Sequence, residues 1–207
     1  MAYWKKPTWP SAQTTESPEE YDLVISAQKG NEVAFEALYE RYNNRISRYL
    51  TRMIGDDGVG CELTQETFLK AWAALPGLRS PERFTGWLYR IATNCAHTYQ
   101  QRARHMQTIS WDACEHSIEP PSIAGPEAQV AEAELLAIAL SRVSLTYRSC
   151  LILYVIEEFS QRDIALLLKM KEASVSKYVS RGKEELRQIY ARLTIEQGST
   201  RLEGSIW

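Results

Sequence analysis

Apolar residues recur at helical spacing along much of the 207-residue chain, and this pattern predicts a protein built from helices. The stretch from 84 to 105 is the clearest example. Its apolar stripe, with steps of three and four residues, comprises Phe84, Trp87, Leu88, Ile91, Cys95 and Tyr99. The opposite, polar stripe comprises Arg90, Asn94, His97, Gln101 and Arg104. The apolar stripe predicts a face packed on a core, and the polar stripe is either a solvated face or a binding face.

The same periodicity divides the chain into two groups of helices. In the first group, the helical pattern begins near Tyr21, and further helices are predicted at 34–54, 62–75 and 84–105, with glycines at 55–60 and prolines at 76–83 as breaks. Residues 106–126 lose the periodicity and contain prolines, which cannot continue a helix. Helical patterns resume at 127–143 and 146–159.

We therefore expect an all-α fold with two small helical domains, and we find no convincing strand pattern. The expected segments are a disordered N-terminal extension at 1–20, a four-helix domain at 21–105, a flexible linker at 106–126, a second domain at 127–193 and a C-terminal tail at 194–207.

Residues 160–190 carry the pattern of a helix-turn-helix, two short helices that meet at a steep angle. Ser160 and Asp163 form a capping box that starts the first helix. Ile164 and Leu168 are spaced one turn apart, and Val175 and Val179 repeat this spacing on the second helix. A second helix of this kind lies in the major groove of DNA. Its outward residues are predicted to be Ser174, Ser176, Lys177, Tyr178, Ser180, Arg181 and Lys183. The alternative is a pair of solvated amphipathic helices in a bundle.

The charge distribution favours nucleic-acid binding at two places, although the net charge is −2. Residues 160–193 carry a net +4 and residues 81–105 a net +3, whereas residues 16–40 hold seven acids against one base. Local basic patches, rather than total charge, are the footprint of a nucleic-acid binder.

Other classes of protein are disfavoured by the sequence. No apolar run approaches the roughly 20 residues that span a bilayer, and the N-terminus lacks the apolar region of a secretory signal, so we expect a cytoplasmic protein without membrane insertion. The four cysteines are widely spaced, and their simplest interpretation is as buried apolar residues. An enzyme that uses Cys95 with His97 is disfavoured because residues i and i+2 of a helix lie on different faces. Cys114 with His116 falls in the predicted linker.

Taken together, the segments CELTQETFLKAWAALP, FTGWLYRIATN and RSCLILYVIEEFSQRDIALLLKMKEASVSKYVSRGKEELR resemble the extracytoplasmic-function group of bacterial sigma factors, in the sigma-70 family. The resemblance covers residues 21–193. It implies two helical domains, called regions 2 and 4, that bind core RNA polymerase and direct it to promoter DNA. It also implies no cofactor, no catalytic residue and an anti-sigma factor as a further partner.

The resemblance implies two polymerase-binding surfaces. The helix at 62–75 matches the segment that docks on a polymerase coiled coil, and its contact residues would be Glu62, Gln65, Glu66, Leu69 and Lys70. Without the family, a solvated face is the simpler interpretation of that helix. The second domain would contact a polymerase flap through the face around Leu151, Tyr154 and Val155.

The resemblance also implies two DNA contacts. Region 4 would read the upstream promoter element as a duplex through the helix-turn-helix. Region 2 would help to melt the downstream element and hold a single strand, through Arg79, Arg83, Tyr89, Arg90, Asn94, His97 and Gln101. Tyr89 is expected to point away from the core and to stack on a base.

This sequence departs from the common family pattern at several positions. Thr98 stands where Asp is frequent, Gln101 where Arg is frequent, and Glu62 where Asp is common. Lys169 stands where the turn often has Gly, and Lys171 where Ser often caps the second helix. The rival function is a helix-turn-helix regulator that acts without replacing the sigma subunit, but it leaves LTQETFLKAW and the following helix unexplained.

Overall fold

The computed structural model describes residues 18–109 and 127–203, and it places eight α-helices and no strand in those ranges. Most of the predicted N-terminal extension and linker, with Cys114 and His116, lie outside the described residues, as do residues 204–207. The helices are α1 (Pro18–Gln28), α2 (Glu32–Ile54), α3 (Asp57–Ala74), α4 (Phe84–Ile109), α5 (Glu127–Arg142), α6 (Leu145–Val155), α7 (Gln161–Leu168) and α8 (Glu172–Glu203). The all-α prediction is confirmed.

The helices α1 to α4 pack around one core because their apolar stripes face inward. The core positions of α2 include Leu38, Ile46 and Leu50, all fully buried, and Phe84 and Leu88 of α4 are fully buried against them. Tyr42 and Tyr49 bury their rings in this core, and their hydroxyls form hydrogen bonds with the hydroxyls of Thr85 and Thr93 of α4, at 2.6 and 2.7 Å. Burial of a tyrosine hydroxyl requires such a partner.

The break between α2 and α3 is shorter than the glycines at 55–60 predicted. Gly55 ends α2 in the left-handed conformation, with φ of 86°, and Asp56 caps α3 by accepting a hydrogen bond from Val59 N at 2.8 Å. Gly58 and Gly60 therefore lie inside α3. Gly60 is there because a Cβ would lie 2.5 Å from Thr51 Oγ1, so the glycine allows α2 and α3 to approach.

The helices α5 to α8 form the second group, in which α8 packs on α5, α6 and α7. The helix α8 continues to Glu203, into the segment predicted as a C-terminal tail. The two groups of helices also touch each other: α2 contacts α5 and α6, and α4 contacts α7. One continuous cluster of buried apolar residues runs through both groups.

Candidate functional surfaces

The outer face of α2 and α3 carries an open, mainly apolar groove of about 590 Å³. Its aromatic lining is a cluster of rings in tilted and edge-on contact, in which the ring centroids of Phe35 and Trp72 lie 4.8 Å apart and those of Tyr39 and Phe68 lie 4.7 Å apart. Leu69 stands over this groove with 72% of its surface exposed. We call this surface the α2–α3 groove; it consists of Glu32, Phe35, Glu36, Tyr39, Gln65, Phe68, Leu69 and Trp72.

The residues of α3 that were predicted to bind polymerase do not all lie on the same face of the helix. Gln65 and Leu69 line the α2–α3 groove, whereas Glu66 and Lys70 form an ion pair at 2.6 Å. Lys70 Nζ also lies 3.6 Å from Cys95 Sγ, so the Glu66–Lys70 ion pair lies on the side of α3 that faces α4. Glu62, one turn before Glu66, is exposed. The hydrogen bond to Glu66 raises the pKa of Lys70.

Sequence reasoning missed the aromatic half of the groove. Phe35 and Tyr39 share the helical spacing of the apolar residues of α2, and that spacing alone predicts a core face rather than a groove. The available signal was their spacing, since Phe35 and Tyr39 lie one turn apart and Trp72 follows Leu69 by three residues.

The polar face of α4 lines a cleft of about 290 Å³ that faces α6 and the end of α7. Arg90, Asn94 and His97 lie in this cleft, while Gln101 is exposed beyond it. His97 Nε2 is 3.1 Å from Ser149 Oγ of α6, and burial lowers the pKa of His97. The cleft is closed on its far side by Ser149, Lys169 and Met170.

The prediction that Tyr89 points away from the core is wrong. Tyr89 is fully buried, with its ring edge-on to Tyr49 at 5.2 Å and to Phe159 at 5.1 Å. Its hydroxyl donates a hydrogen bond to the Glu157 carboxylate, and desolvation by burial raises its pKa. The helical pattern of one domain could not reveal this, because Phe159 and Glu157, which complete the burial of Tyr89, come from the other group of helices.

The loop between α3 and α4 is anchored at its base and exposed at its basic residues. Gln28 of α1 donates hydrogen bonds to the carbonyls of Leu75 and Leu78, at 3.2 and 2.7 Å. Arg79 and Arg83 are both exposed on this fixed loop. Two cations are therefore presented beside the start of α4.

The helix-turn-helix predicted at 160–190 is present as α7, a turn and the start of α8. Ser160 Oγ accepts a hydrogen bond from Asp163 N at 3.1 Å, as the capping box predicted. Ile164, Val175 and Val179 are buried between the two helices. Lys169 makes the turn with φ of 54°, a left-handed conformation that glycine adopts more readily.

The first turns of α8 expose most of the predicted reading residues. Ser176, Lys177, Ser180 and Arg181 are exposed, and Ser174 is half-buried. Tyr178 lies half-buried against Tyr147 at 5.3 Å, and Arg181 lies 3.3 Å from the Tyr147 hydroxyl. Lys183 instead lies over the Tyr154 ring at 5.9 Å, on the side toward α6.

Gly182 was missed by sequence reasoning although it places α8. A Cβ there would lie 3.2 Å from the Tyr147 carbonyl oxygen, so the glycine lets α8 lie close against α6.

Of the predicted flap-binding residues, Leu151 is misassigned. It is only 6% exposed and packs in the core, whereas Tyr154 is half-buried and Val155 is exposed next to Ile156. The residues of α6 from 150 to 155 are all apolar or aromatic, so the sequence does not show which of them face outward. Any partner of this face would meet Tyr154, Val155 and Ile156.

Several other features limit the chemistry of the described chain. No group of three or more His, Cys, Asp or Glu within 18–109 and 127–203 is arranged to hold a metal ion. In the same ranges no helix combines the length and the apolar character that a bilayer crossing requires. Cys95 and Cys150 are buried as expected, but Cys61 is exposed.

Two family models match the chain in the order of its helices. The model of sigma-70 region 2 matches residues 38–106, and the model of sigma-70 region 4 matches residues 134–186. The first covers five of the eight residues of the α2–α3 groove and most of α4, and the second covers α7 and the start of α8.

Curated relatives match over most of their own length. The ECF RNA polymerase sigma factor SigM of Bacillus subtilis is 26% identical over 160 residues, which cover 77% of this chain and 97% of SigM. The ECF RNA polymerase sigma-E factor of Escherichia coli is 28% identical over 173 residues, which cover 79% of this chain and 90% of that protein.

Solved structures share the fold. CnrH, in complex with the cytosolic domain of CnrY, aligns with a TM-score of 0.61 at 22% identity and covers 84% of this chain and 98% of its own. The sigma factor RpoE of Bartonella quintana, in complex with the anti-sigma factor NepR, aligns with a TM-score of 0.62 at 20% identity, covering 75% and 95%.

Proposed function

The chain belongs to the sigma-70 family of RNA polymerase sigma factors, in the extracytoplasmic-function group. From this premise we propose which partner each of its surfaces binds during promoter-specific initiation. The α2–α3 groove binds core RNA polymerase, α8 reads the upstream promoter element, and the loop and polar face of α4 hold the opened downstream element. The protein acts in the cytoplasm as a binding factor, and the polymerase supplies the catalysis.

The observation that carries this proposal is the α2–α3 groove. Soluble proteins expose few contiguous apolar surfaces, and those they expose are often partner sites. Here aromatic rings line the groove and Leu69 projects over it, with Glu32, Glu36 and Gln65 as a polar rim. An apolar centre with a polar rim is the usual anatomy of a protein interface. A helix-turn-helix regulator that acts without polymerase would not require this surface for DNA binding.

The upstream element is read by the exposed face at the start of α8. Lys177 and Arg181 are exposed and lie one helical turn apart. Arginine can donate two hydrogen bonds to one guanine edge, and lysine neutralises phosphates. Ser176 and Ser180 are exposed on the same helix and can accept or donate at a base edge. Lys183 contributes less to reading because it lies over Tyr154.

The downstream element is held as a single strand by the α3–α4 loop and α4. Opening a duplex requires that the unstacked bases find new partners. Arg79 and Arg83 are placed to follow the phosphates, and Asn94 and Arg90 to bind base edges. Tyr89 cannot stack on a base while Glu157 and Phe159 cover it, because it is fully buried in this arrangement.

An inhibitory protein partner fits the same surfaces. The chain exposes the α2–α3 groove and, separately, Val155 and Ile156 of the second group of helices. A protein that covers either apolar surface would compete with polymerase for it. We propose an anti-sigma factor in this role.

The test is transcription with purified core polymerase and genomic template. The wild-type chain should give discrete promoter-specific transcripts, and Leu69→Ser should reduce polymerase binding by about tenfold, the loss typical of a central interface residue. Ile195→Ser is the matched control, since Ile195 of α8 is 69% exposed, nearly as much as Leu69, but lies away from the groove.

Two results would refute the proposal. One is the absence of promoter-specific transcripts with the wild-type chain. The other is specific duplex binding and repression by the chain alone, which would favour the helix-turn-helix regulator.

A further inference from the structure

Two buried charged residues of the second group of helices each have at least one partner in the first group. Glu157 follows α6 and is 7% exposed, and Arg148 lies within α6 and is 4% exposed. A buried charge is costly unless other groups compensate it. The contacts between the two groups of helices therefore contain specific polar bonds as well as apolar packing.

Within the described residues, the buried charge of the Glu157 carboxylate is compensated by side chains of the first group. Its carboxylate accepts a hydrogen bond from the Tyr89 hydroxyl of α4. Arg45 and Arg52 of α2 approach it at 3.7 and 3.9 Å. The two arginines are more than a third exposed, so solvent screens their attraction, whereas the buried, charge-assisted bond from Tyr89 is the stronger contact.

Arg148 joins the ends of two helices. Its guanidinium donates to the carbonyl oxygen of Met53, at the end of α2, at 2.5 Å, and to those of Ser141 and Val143, at the end of α5. Carbonyl groups in the last turn of a helix lack partners within the helix and attract cations. Desolvation lowers the pKa of Arg148 to about 10, so it remains charged at neutral pH.

These bonds hold the second group of helices against the polar face of α4 at His97, while Asn94 of the same face remains exposed. Ser149, one residue after Arg148, lies within hydrogen-bonding distance of His97, and Lys169 and Met170 complete the cleft around Asn94. A nucleic-acid strand cannot pass between His97 and Ser149 while their side chains are 3.1 Å apart.

We propose that Glu157, through Tyr89, latches the chain in a closed state in which α6 and α7 cover the nucleic-acid face of α4. This inference rests on the proposed role of α4 in holding DNA. The closed chain is in equilibrium with an open one, and single-stranded DNA binds the open chain. Weakening the latch raises the open population and with it the apparent affinity for a single strand.

The variants that test the latch are Glu157→Gln and Tyr89→Phe. Glu157→Gln keeps the shape of the side chain and removes its charge, and Tyr89→Phe keeps the packed ring and removes the donor. Glu158→Gln is the matched control because it removes a neighbouring carboxylate that is not part of the latch. Circular dichroism and thermal unfolding establish that each variant is folded.

Two measurements on the full chain, without polymerase, report the equilibrium. Small-angle X-ray scattering should show a larger radius of gyration for Glu157→Gln and Tyr89→Phe than for the wild type. Fluorescence anisotropy with a random-sequence single strand of about 16 nucleotides should show an affinity about tenfold higher for the same two variants. Glu158→Gln should match the wild type in both measurements.

The latch is refuted if both variants keep the wild-type radius of gyration, or if Glu158→Gln expands the chain equally. Expansion without any gain in single-strand affinity would refute the covering of α4 by α6 and α7. Failure of the proposed function is a separate result, since it would appear as missing promoter-specific transcripts with core polymerase, whatever the scattering shows.

Discussion

Lys169 occupies a backbone conformation that most residues avoid. With φ of 54° it ends α7 in the left-handed region, and its N–H bonds to the Ala165 carbonyl. A side chain with a Cβ is strained there, and only glycine adopts this conformation without a steric cost. The departure from glycine noted in the sequence therefore has a definite cost in the structure.

Lys169→Gly is expected to raise the free energy of unfolding by roughly 0.5 to 1 kcal/mol, because relief of strain outweighs the added freedom of the unfolded chain. Lys169→Ala is the control, since it removes the charge but keeps the Cβ. Urea unfolding measures both variants. Equal stability of the two would show that charge, rather than backbone conformation, decides the effect.

At the scale of single residues, the sequence predicted what depends on local spacing. Ser160 caps α7 and Val175 and Val179 are buried, as the helical pattern indicated. Tyr89 was misassigned because Glu157 and Phe159, which help to bury it, are distant in the sequence, and Leu151 because the apolar run of α6 does not distinguish its inner from its outer face. Periodicity shows which side of a helix is apolar, but it cannot show how many neighbours that helix has.

Among the helices, α3 differs most from its prediction. Glycines usually weaken a helix, so residues 55–60 were interpreted as a break, yet α3 begins at Asp57. Gly60 is retained inside the helix because α2 passes close to it, and the capping by Asp56 supplies the start signal. A glycine needed for close packing looks the same in sequence as one needed for a turn.

Gly60→Ala is expected to lower the free energy of unfolding by about 1 to 3 kcal/mol, the usual cost of overpacking. The added Cβ would lie 2.5 Å from Thr51 Oγ1 and 3.0 Å from Thr51 N, so both helices would have to shift. Gly77→Ala is the matched control, because nothing lies within 4 Å of its Cβ position. Thermal unfolding measures the stability of both variants. An equal loss of stability in the two would contradict this account of α3.

For the molecule as a whole, the contact between the two groups of helices was beyond sequence reasoning. The all-α fold, the two helical groups and the helix-turn-helix follow from patterns within short segments. The bonds of Glu157 and Arg148 join residues 68 and 95 positions apart in the chain. A single sequence contains no pattern that pairs such distant residues, so the covered face of α4 was interpreted as open.

Acidification is expected to loosen the closed chain through His97. Burial holds the pKa of His97 below its usual value, so the closed state favours the neutral imidazole and is fully stabilised above the ordinary histidine pKa of about 6.5. As the pH falls, His97 must gain a proton in a cleft that also contains Arg90 and Lys169, and the stabilisation is lost.

Small-angle X-ray scattering from about pH 8 to about pH 5 should show that the radius of gyration of the wild-type chain increases as the pH falls. His97→Gln, which cannot titrate, should respond less over this range. If the two chains expand in parallel, other groups are responsible for the pH response.

The position of the α2–α3 groove determines the order in which partners can bind. The groove stays open while the polar face of α4 is covered, because Leu69 remains 72% exposed in the same arrangement. With the roles proposed above for these two surfaces, polymerase can dock on a closed chain, whereas the affinity for DNA is reduced in proportion to the open fraction. A chain built this way would load onto polymerase before it engages a promoter, and it would spend little time on DNA alone.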